Sequence, residues 1–214
     1  MKIFRIYKAV VTILLFLAVC ITTGYAQIDV NYGVKGGLNC STFNGNSNWT
    51  TQYAVGGFVE FQYAAISIQP EILYSVKGDK SIDDQSYIIN TPPYSPIYYT
   101  IVHTSTLTYL DVPVLIKFHL HLPAVISSLF IGPSFGFLLS ANAHAEGFGS
   151  TTNTDKKNIF PKNDIGLVLG TGIDIPYRTF KITFDARYDI GLSTLDPYVG
   201  MFNRVFSIYV GIKL

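Results

Sequence analysis

Between residues 108 and 120 the chain reads TYLDVPVLIKFHL. Leu110, Val112, Val114, Ile116, Phe118 and Leu120 hold the even positions, and Tyr109, Asp111, Lys117 and His119 are among the odd ones. A period of two puts these sets on opposite faces of an extended strand, and a helix would mix them. The stretch is also long enough to cross a bilayer, for which a tilted strand needs roughly 9–11 residues. A chain organised around such a segment must fold as strands with one apolar and one polar face.

The same alternation recurs in seven other segments. Residues 28–39 set Ile28, Val30, Tyr32, Val34 and Leu38 against Asp29, Asn31, Lys35 and Asn39, and residues 53–63 set Tyr53, Val55, Val59, Phe61 and Tyr63 against Glu60 and Gln62. Residues 66–77 oppose Ile66, Ile68, Ile72, Tyr74 and Val76 to Ser67, Gln69, Glu71 and Lys77, and residues 128–141 oppose Leu129, Ile131, Phe135, Phe137 and Leu139 to Ser134, Gly136 and Ser140. Residues 163–175 oppose Ile165, Leu167, Leu169, Ile173 and Ile175 to Asp164 and Asp174. Residues 178–192 oppose Phe180, Ile182, Phe184, Tyr188 and Ile190 to Lys181, Asp185, Arg187 and Asp189, and a last segment carries Phe206, Ile208, Val210, Ile212 and Leu214 on one face. Ala64-Ala65, Leu122-Pro123-Ala124 and Pro176-Tyr177 read as short turns, whereas residues 44–48, 78–103, 142–162 and the stretch near Asp196 read as longer loops. Long connections after odd strands and short ones after even strands match a bacterial outer-membrane barrel, with loops outside and turns in the periplasm.

Alternation alone also fits a soluble lipocalin-like barrel, which turns its apolar face inward around a ligand. The polar face favours the membrane. It is rich in glycine (Gly33, Gly37, Gly56, Gly132, Gly136, Gly166, Gly170, Gly172, Gly191 and Gly211), which suits a cramped lumen better than a solvated surface. The charges on that face, Lys35, Lys77, Lys117, Lys181, Arg187 and Lys213 against Asp29, Glu60, Glu71, Asp111, Asp164, Asp174, Asp185 and Asp189, are near balance, as buried ions must be. Only 14% of residues are charged, against roughly 25% in an ordinary soluble domain. The expected fold is therefore all-β, an eight-stranded antiparallel up-and-down transmembrane β-barrel, filled by side chains and without an open pore.

The chain opens with Lys2, Arg5 and Lys8, an apolar run over residues 9–21, and Gly24-Tyr25-Ala26 before Gln27, the three parts of a secretory signal. Residues 1–26 are expected to be that signal and residues 27–214 the barrel. A transmembrane anchor would need a longer run, and a lipoprotein signal at Cys20 would want a residue smaller than Val19 before it. Removing residues 1–26 takes three of the 15 basic residues and none of the 14 acidic ones, so the remainder carries −2. Nothing in that balance points to nucleic acid. Cys40 is then the one cysteine, which excludes an intramolecular disulfide.

GVKGGLN (residues 33–39), SIQPEILYSVKG (67–78), YLDVPVLIK (109–117), IGPSFGFLLSA (131–141), DIGLVLGTGI (164–173) and DARYDIGL (185–192) together resemble the PorT-like outer-membrane β-barrel proteins of Bacteroidetes. The resemblance spans essentially the whole chain after the signal. It implies location in the outer membrane of a Gram-negative bacterium; most members have no assigned activity, and the founding member is associated with type IX protein secretion. Barrel-assembly signals usually end in Phe or Trp, whereas this chain ends in Leu214.

Pro70, Pro113 and Pro133 fall inside adjacent strands, where each removes a ladder donor, and bulges that bend the wall are expected there. Histidine raises the alternative of a lipid-modifying enzyme, with Ser75 or Ser105 as nucleophile, but no spacing ties either serine to His103, His119, His121 or His144. No catalytic, cofactor-binding or metal-ligating set is expected. Tyr87, Tyr94, Tyr98 and Tyr99, with Pro92, Pro93 and Pro96, make the second outer loop aromatic. They suit either the lipid headgroup zone or contact with a partner. The function expected is a non-enzymatic outer-membrane protein, a monomer in contact with outer-membrane lipid. It would act through its outer loops or periplasmic end on envelope or secretion proteins.

Overall fold

The computed structural model describes residues 28–43, 48–88, 96–147, 150–155, 157, 160–194 and 201–214. Among them are nine strands: β1 (Asp29–Phe43), β2 (Thr50–Tyr63), β3 (Ile66–Ile88), β4 (Pro96–His121), β5 (Ile126–Gly147), β6 (Ser150–Asp155), β7 (Asn163–Tyr177), β8 (Phe180–Gly191) and β9 (Asn203–Lys213). Eight of them pair antiparallel in the circuit β1-β2-β3-β4-β5-β7-β8-β9, and β9 returns to β1 through Gly33↔Lys213 to Phe43↔Asn203. The result is a closed eight-stranded all-antiparallel barrel, with β6 as an addition outside the circuit. The proposed signal, residues 1–26, lies outside the described residues.

The two faces part as the alternation requires. On β4, Ile116 and Phe118 are 55% and 48% exposed, while Asp111 and Lys117 keep 5% and 3%. A soluble barrel would invert this. The exposed apolar residues continue around the wall as Val34, Leu38, Ile72, Leu129, Ile131, Ile165 and Ile208, and only acyl chains can solvate such a band. Tyr63 and Tyr177 stand at the short-turn end of this surface, and Tyr53 stacks on Tyr74 toward the other end with ring centroids 6.3 Å apart.

Four expectations need correction, the last of them the bulges expected at the strand prolines. Residues 78–103 are not a loop: β3 runs on to Ile88 and β4 begins at Pro96, so most of that stretch is a hairpin paired through Ile88↔Pro96. The stretch 142–162 likewise holds the end of β5 and all of β6. Both were hidden because polar and charged residues interrupt the hydropathy pattern, while backbone pairing outside the membrane asks for no apolar face. The turn expected at Pro176-Tyr177 lies at Arg178-Thr179, and β7 runs through Pro176↔Lys181 to Tyr177↔Phe180. Arg178 takes the left-handed conformation there (φ 52°), as Ala64 does in the β2–β3 turn.

The three prolines do not shift the register. Pairing of β2 with β3 skips from Phe58↔Glu71 to Phe61↔Ile68, leaving a gap that contains Pro70. That of β3 with β4 skips from Pro70↔Val114 to Leu73↔Asp111, around Pro113. That of β4 with β5 skips from Pro113↔Ser134 to Ile116↔Ile131, around Pro133. A proline deletes a donor but not a residue, so each ladder resumes in phase. The register shift falls instead between Thr108 and Tyr109, where the pairs Thr108↔Ser140 and Tyr109↔Leu138 leave Leu139 as an extra residue in β5.

Candidate functional site

The inward parity of eight strands gathers five buried cations, Lys35, Lys77, Lys117, Arg187 and Lys213, with six buried anions, Glu60, Glu71, Asp111, Asp164, Asp174 and Asp185. Barrel closure brings these residues together across sequence separations above 100, as in Arg187 with Glu71 and Lys35 with Asp185. They form three tiers.

At the short-turn end, Lys213 Nζ bridges Glu60 at 3.2 Å and Asp174, while His119 Nε2 lies 3.4 Å from Glu60 Oε1 and 2.8 Å from Ser67 Oγ. In the middle tier Glu71 accepts from Lys35 Nζ at 2.7 Å, Arg187 Nη1 at 2.8 Å and Gln69 Nε2 at 2.6 Å. Lys35 also reaches Asp185 Oδ2 at 2.7 Å, and Lys117 Nζ donates to Gln69 Oε1 at 3.2 Å. In the outer tier Lys77 lies 3.2 Å from Asp111, and Asp164 accepts from Asn203 Nδ2 at 2.6 Å. Buried charge is tolerated only when paired, and each of these ions lies within 4.0 Å of an opposite charge, although Glu60 Oε1 and Asp185 Oδ1 accept no hydrogen bond among the described residues.

Aromatic rings fill the space between the ions. Arg187 lies 4.1 Å over Tyr209, Lys77 4.8 Å over Tyr109, Lys35 5.0 Å over Phe58 and Lys117 5.3 Å over Phe130. The lumen glycines make room for those rings: a Cβ on Gly170 would stand 2.6 Å from Phe130, and one on Gly33 2.6 Å from Phe58. Above the outer tier Phe43, Leu107, Tyr109, Leu138 and Ala141 pack with Phe160 and Met201 into an apolar cap. Among the described residues, the ion tiers thus lie beneath an apolar cluster.

The residues expected in the lumen are thus placed as follows. Lys35, Glu60, Glu71, Asp111, Lys117, Asp164, Asp174, Asp185 and Arg187 are buried inside, whereas Lys181 is half-buried at the short-turn rim and Asp29 is exposed there. Pro113 is fully buried on the lumen side; Pro70 and Pro133 stand on the outer face. Backbone pairing places Tyr87 opposite Ile97, Tyr98 opposite Ser86 and Tyr99 opposite Gln85, while Tyr94 lies outside the described residues.

The serines named for nucleophilic chemistry are placed as follows. Ser75 Oγ accepts from Asn39 Nδ2 at 3.0 Å, and Ser105 pairs through its backbone with Asp79 and Ala143. His121 and His103 are exposed, and His144 Nε2 lies 2.9 Å from Glu146. The Ser67–His119–Glu60 contact is the one that sequence reading missed. Its only signal is that Ser67 and His119 share inward parity, and only the β3–β4 register makes them neighbours. Ser67 and Glu60 both approach the same nitrogen, Nε2, and Nδ1 has no hydrogen-bond partner among the described residues. That is packing geometry, since a proton relay needs the acid on the opposite ring nitrogen. Among the described residues no group of three His, Cys, Asp or Glu is placed to hold a metal ion.

Several solved structures are similar to this chain. The attachment invasion locus protein Ail of Yersinia pestis, solved with the heparin analogue sucrose octasulfate, is 12% identical over 87% of this chain and 99% of its own, with a TM-score of 0.42. Neisserial surface protein A is 10% identical over 88% and 98% (TM-score 0.47), and the outer membrane protein W of E. coli 10% identical over 86% and 97% (TM-score 0.38). Likeness at these identities concerns the fold alone. No curated protein matches the sequence. The family model described as outer membrane protein beta-barrel domain matches residues 25–196.

Proposed function

The chain belongs to the outer membrane protein beta-barrel domain family, and from that premise we propose that it is a non-enzymatic barrel that acts through the sheet it raises outside the cell. It is an integral protein of the outer membrane of a Gram-negative bacterium. The supporting observation is the division of labour along the strands. The lumen is packed with paired ions under an apolar cap, which suits neither transport nor substrate access. Meanwhile β3, β4 and β5, at 23, 26 and 22 residues, are about twice the length that a bilayer requires. With the short turns in the periplasm, the surplus projects outward.

The partners that fit are other envelope or secretion proteins, met by a monomer surrounded by lipid. The PorT-like motifs suggest an accessory role in type IX secretion or envelope maintenance in Bacteroidetes. The test is complementation of a deletion strain scored for secreted cargo and detergent resistance. The intact chain is expected to restore both, and a chain with residues 82–100 replaced by a tight turn is expected to restore neither. Full complementation by the shortened chain, or a deletion strain with normal secretion and envelope, would overturn the proposal. Lipid A from the deletion strain is expected to keep its mass spectrum, and a lost acyl modification would favour an enzyme.

A further inference from the structure

The projecting sheet ends in an edge. Above the barrel its strand order is β3-β4-β5-β6, and β6 pairs with β5 from Asn142↔Asp155 to Gly147↔Ser150. Among the described residues β6 pairs with no other strand, so one row of its backbone donors and acceptors is left open. Proteins commonly blunt such an edge with lysine, proline or a bulge. The strand Ser150–Asp155 reads STTNTD, with neither lysine nor proline, three β-branched threonines and an unbroken register of six pairs. The opposite edge of the sheet, β3, carries Asp83 and Asp84, two adjacent acidic residues that discourage pairing.

Resting on the reading that the outer sheet is the working part, we infer that the free edge of β6 takes an additional strand from another polypeptide, running antiparallel to β6. The direction follows from the membrane. β5 runs outward and β6 runs back toward the bilayer, so a partner segment that pairs antiparallel runs outward. A second copy of this chain in the same membrane would present its own β6 in the same direction, which allows only the weaker parallel pairing. The occupant is therefore an extended segment of a different protein. It would be rich in uncharged β-branched residues, with a basic residue at its N-terminal end, opposite Asp155, the one charged residue of β6. Main-chain hydrogen bonds would supply the affinity and this charge the register.

The experiment uses the full chain in detergent micelles and a capped synthetic peptide, Lys-Thr-Val-Thr-Val-Thr. Amide hydrogen exchange is read residue by residue across β6. The amides that point away from β5 are expected to exchange fast in the free chain and at least tenfold slower with saturating peptide. A peptide with Asp in place of Lys is expected to protect less. Thr152→Pro and Asn153→Pro divide the question, because of two adjacent amides one points toward β5 and the other away. The proline that removes the outward donor is expected to abolish protection while the barrel keeps its heat-modifiable migration. Unchanged exchange at millimolar peptide would overturn the inference. So would protection of the same amides in the free chain: if lost on dilution, the occupant is a second copy, and if independent of concentration, the chain covers its own edge. If the β6 arms fail while shortening residues 82–100 still removes complementation, the edge is wrong and the outer-sheet reading stands.

Discussion

Glu71 is 1% exposed and accepts from Lys35, Arg187 and Gln69 at once. Glu71→Ala would leave two buried cations short of an anion, and breaking a buried pair from one side costs about 3–5 kcal/mol. The expected result is a lower urea midpoint for loss of the heat-modifiable band, with fluorescence of Trp49 as a second probe. Replacing Glu71 together with both cations by apolar residues is expected to recover most of that loss. Gly170 offers a steric counterpart. Gly170→Val should destabilise the barrel by about 1–3 kcal/mol, since the added carbons meet the Ala186 carbonyl and the Phe130 ring. Phe130→Ala in the same chain should relieve only the part of the clash that the ring contributes, and a double-mutant cycle measures that coupling. At this scale the sequence is legible for burial but not for partnership. That Lys117 turns inward is visible from Ile116 and Phe118 beside it. That His119 meets Ser67 and Glu60, or that Lys213 meets Asp174, depends on register and closure, which no single segment encodes.

Strand type and face are the most legible features of each element, because lipid enforces alternation wherever the wall touches it. Strand ends are the least legible. Beyond the bilayer the hairpin of β3 and β4 pairs through its backbone, and a stretch such as residues 79–88, DKSIDDQSYI, carries no hydropathy signal of a strand. Turns obey a different constraint. Ala64 and Arg178 hold positive φ, a conformation costing a residue with a Cβ roughly 1–2 kcal/mol relative to glycine. Ala64→Gly and Arg178→Gly are each expected to raise the urea midpoint slightly, by about 0.5–1 kcal/mol in stability, because glycine also gains freedom when unfolded. At the prolines, Pro133→Ala restores a donor within the interrupted β4–β5 ladder. The expected outcome is a protected amide at position 133 with the pairs Pro113↔Ser134 and Ile116↔Ile131 in their present register. A changed register would mean that the proline does set the phase.

Over the whole molecule the proposed function makes the barrel a post and the sheet above it the working surface. Ion pairs and rings close the post, so reconstitution into a planar bilayer is expected to give no single-channel steps at moderate voltage, whereas steady unitary currents would mean that the cap of Phe43, Leu107, Leu138, Phe160 and Met201 opens. Everything else follows from which side chains meet lipid. Nuclear Overhauser contacts between acyl-chain protons and side chains of the unaltered protein in lipid nanodiscs read that boundary directly. Contacts are expected at Ile116, Leu129, Ile131 and Leu169, with none at Leu115, Phe130 or Val168 one residue away. Acyl contacts at the second set, with water contacts at the first, would contradict the account.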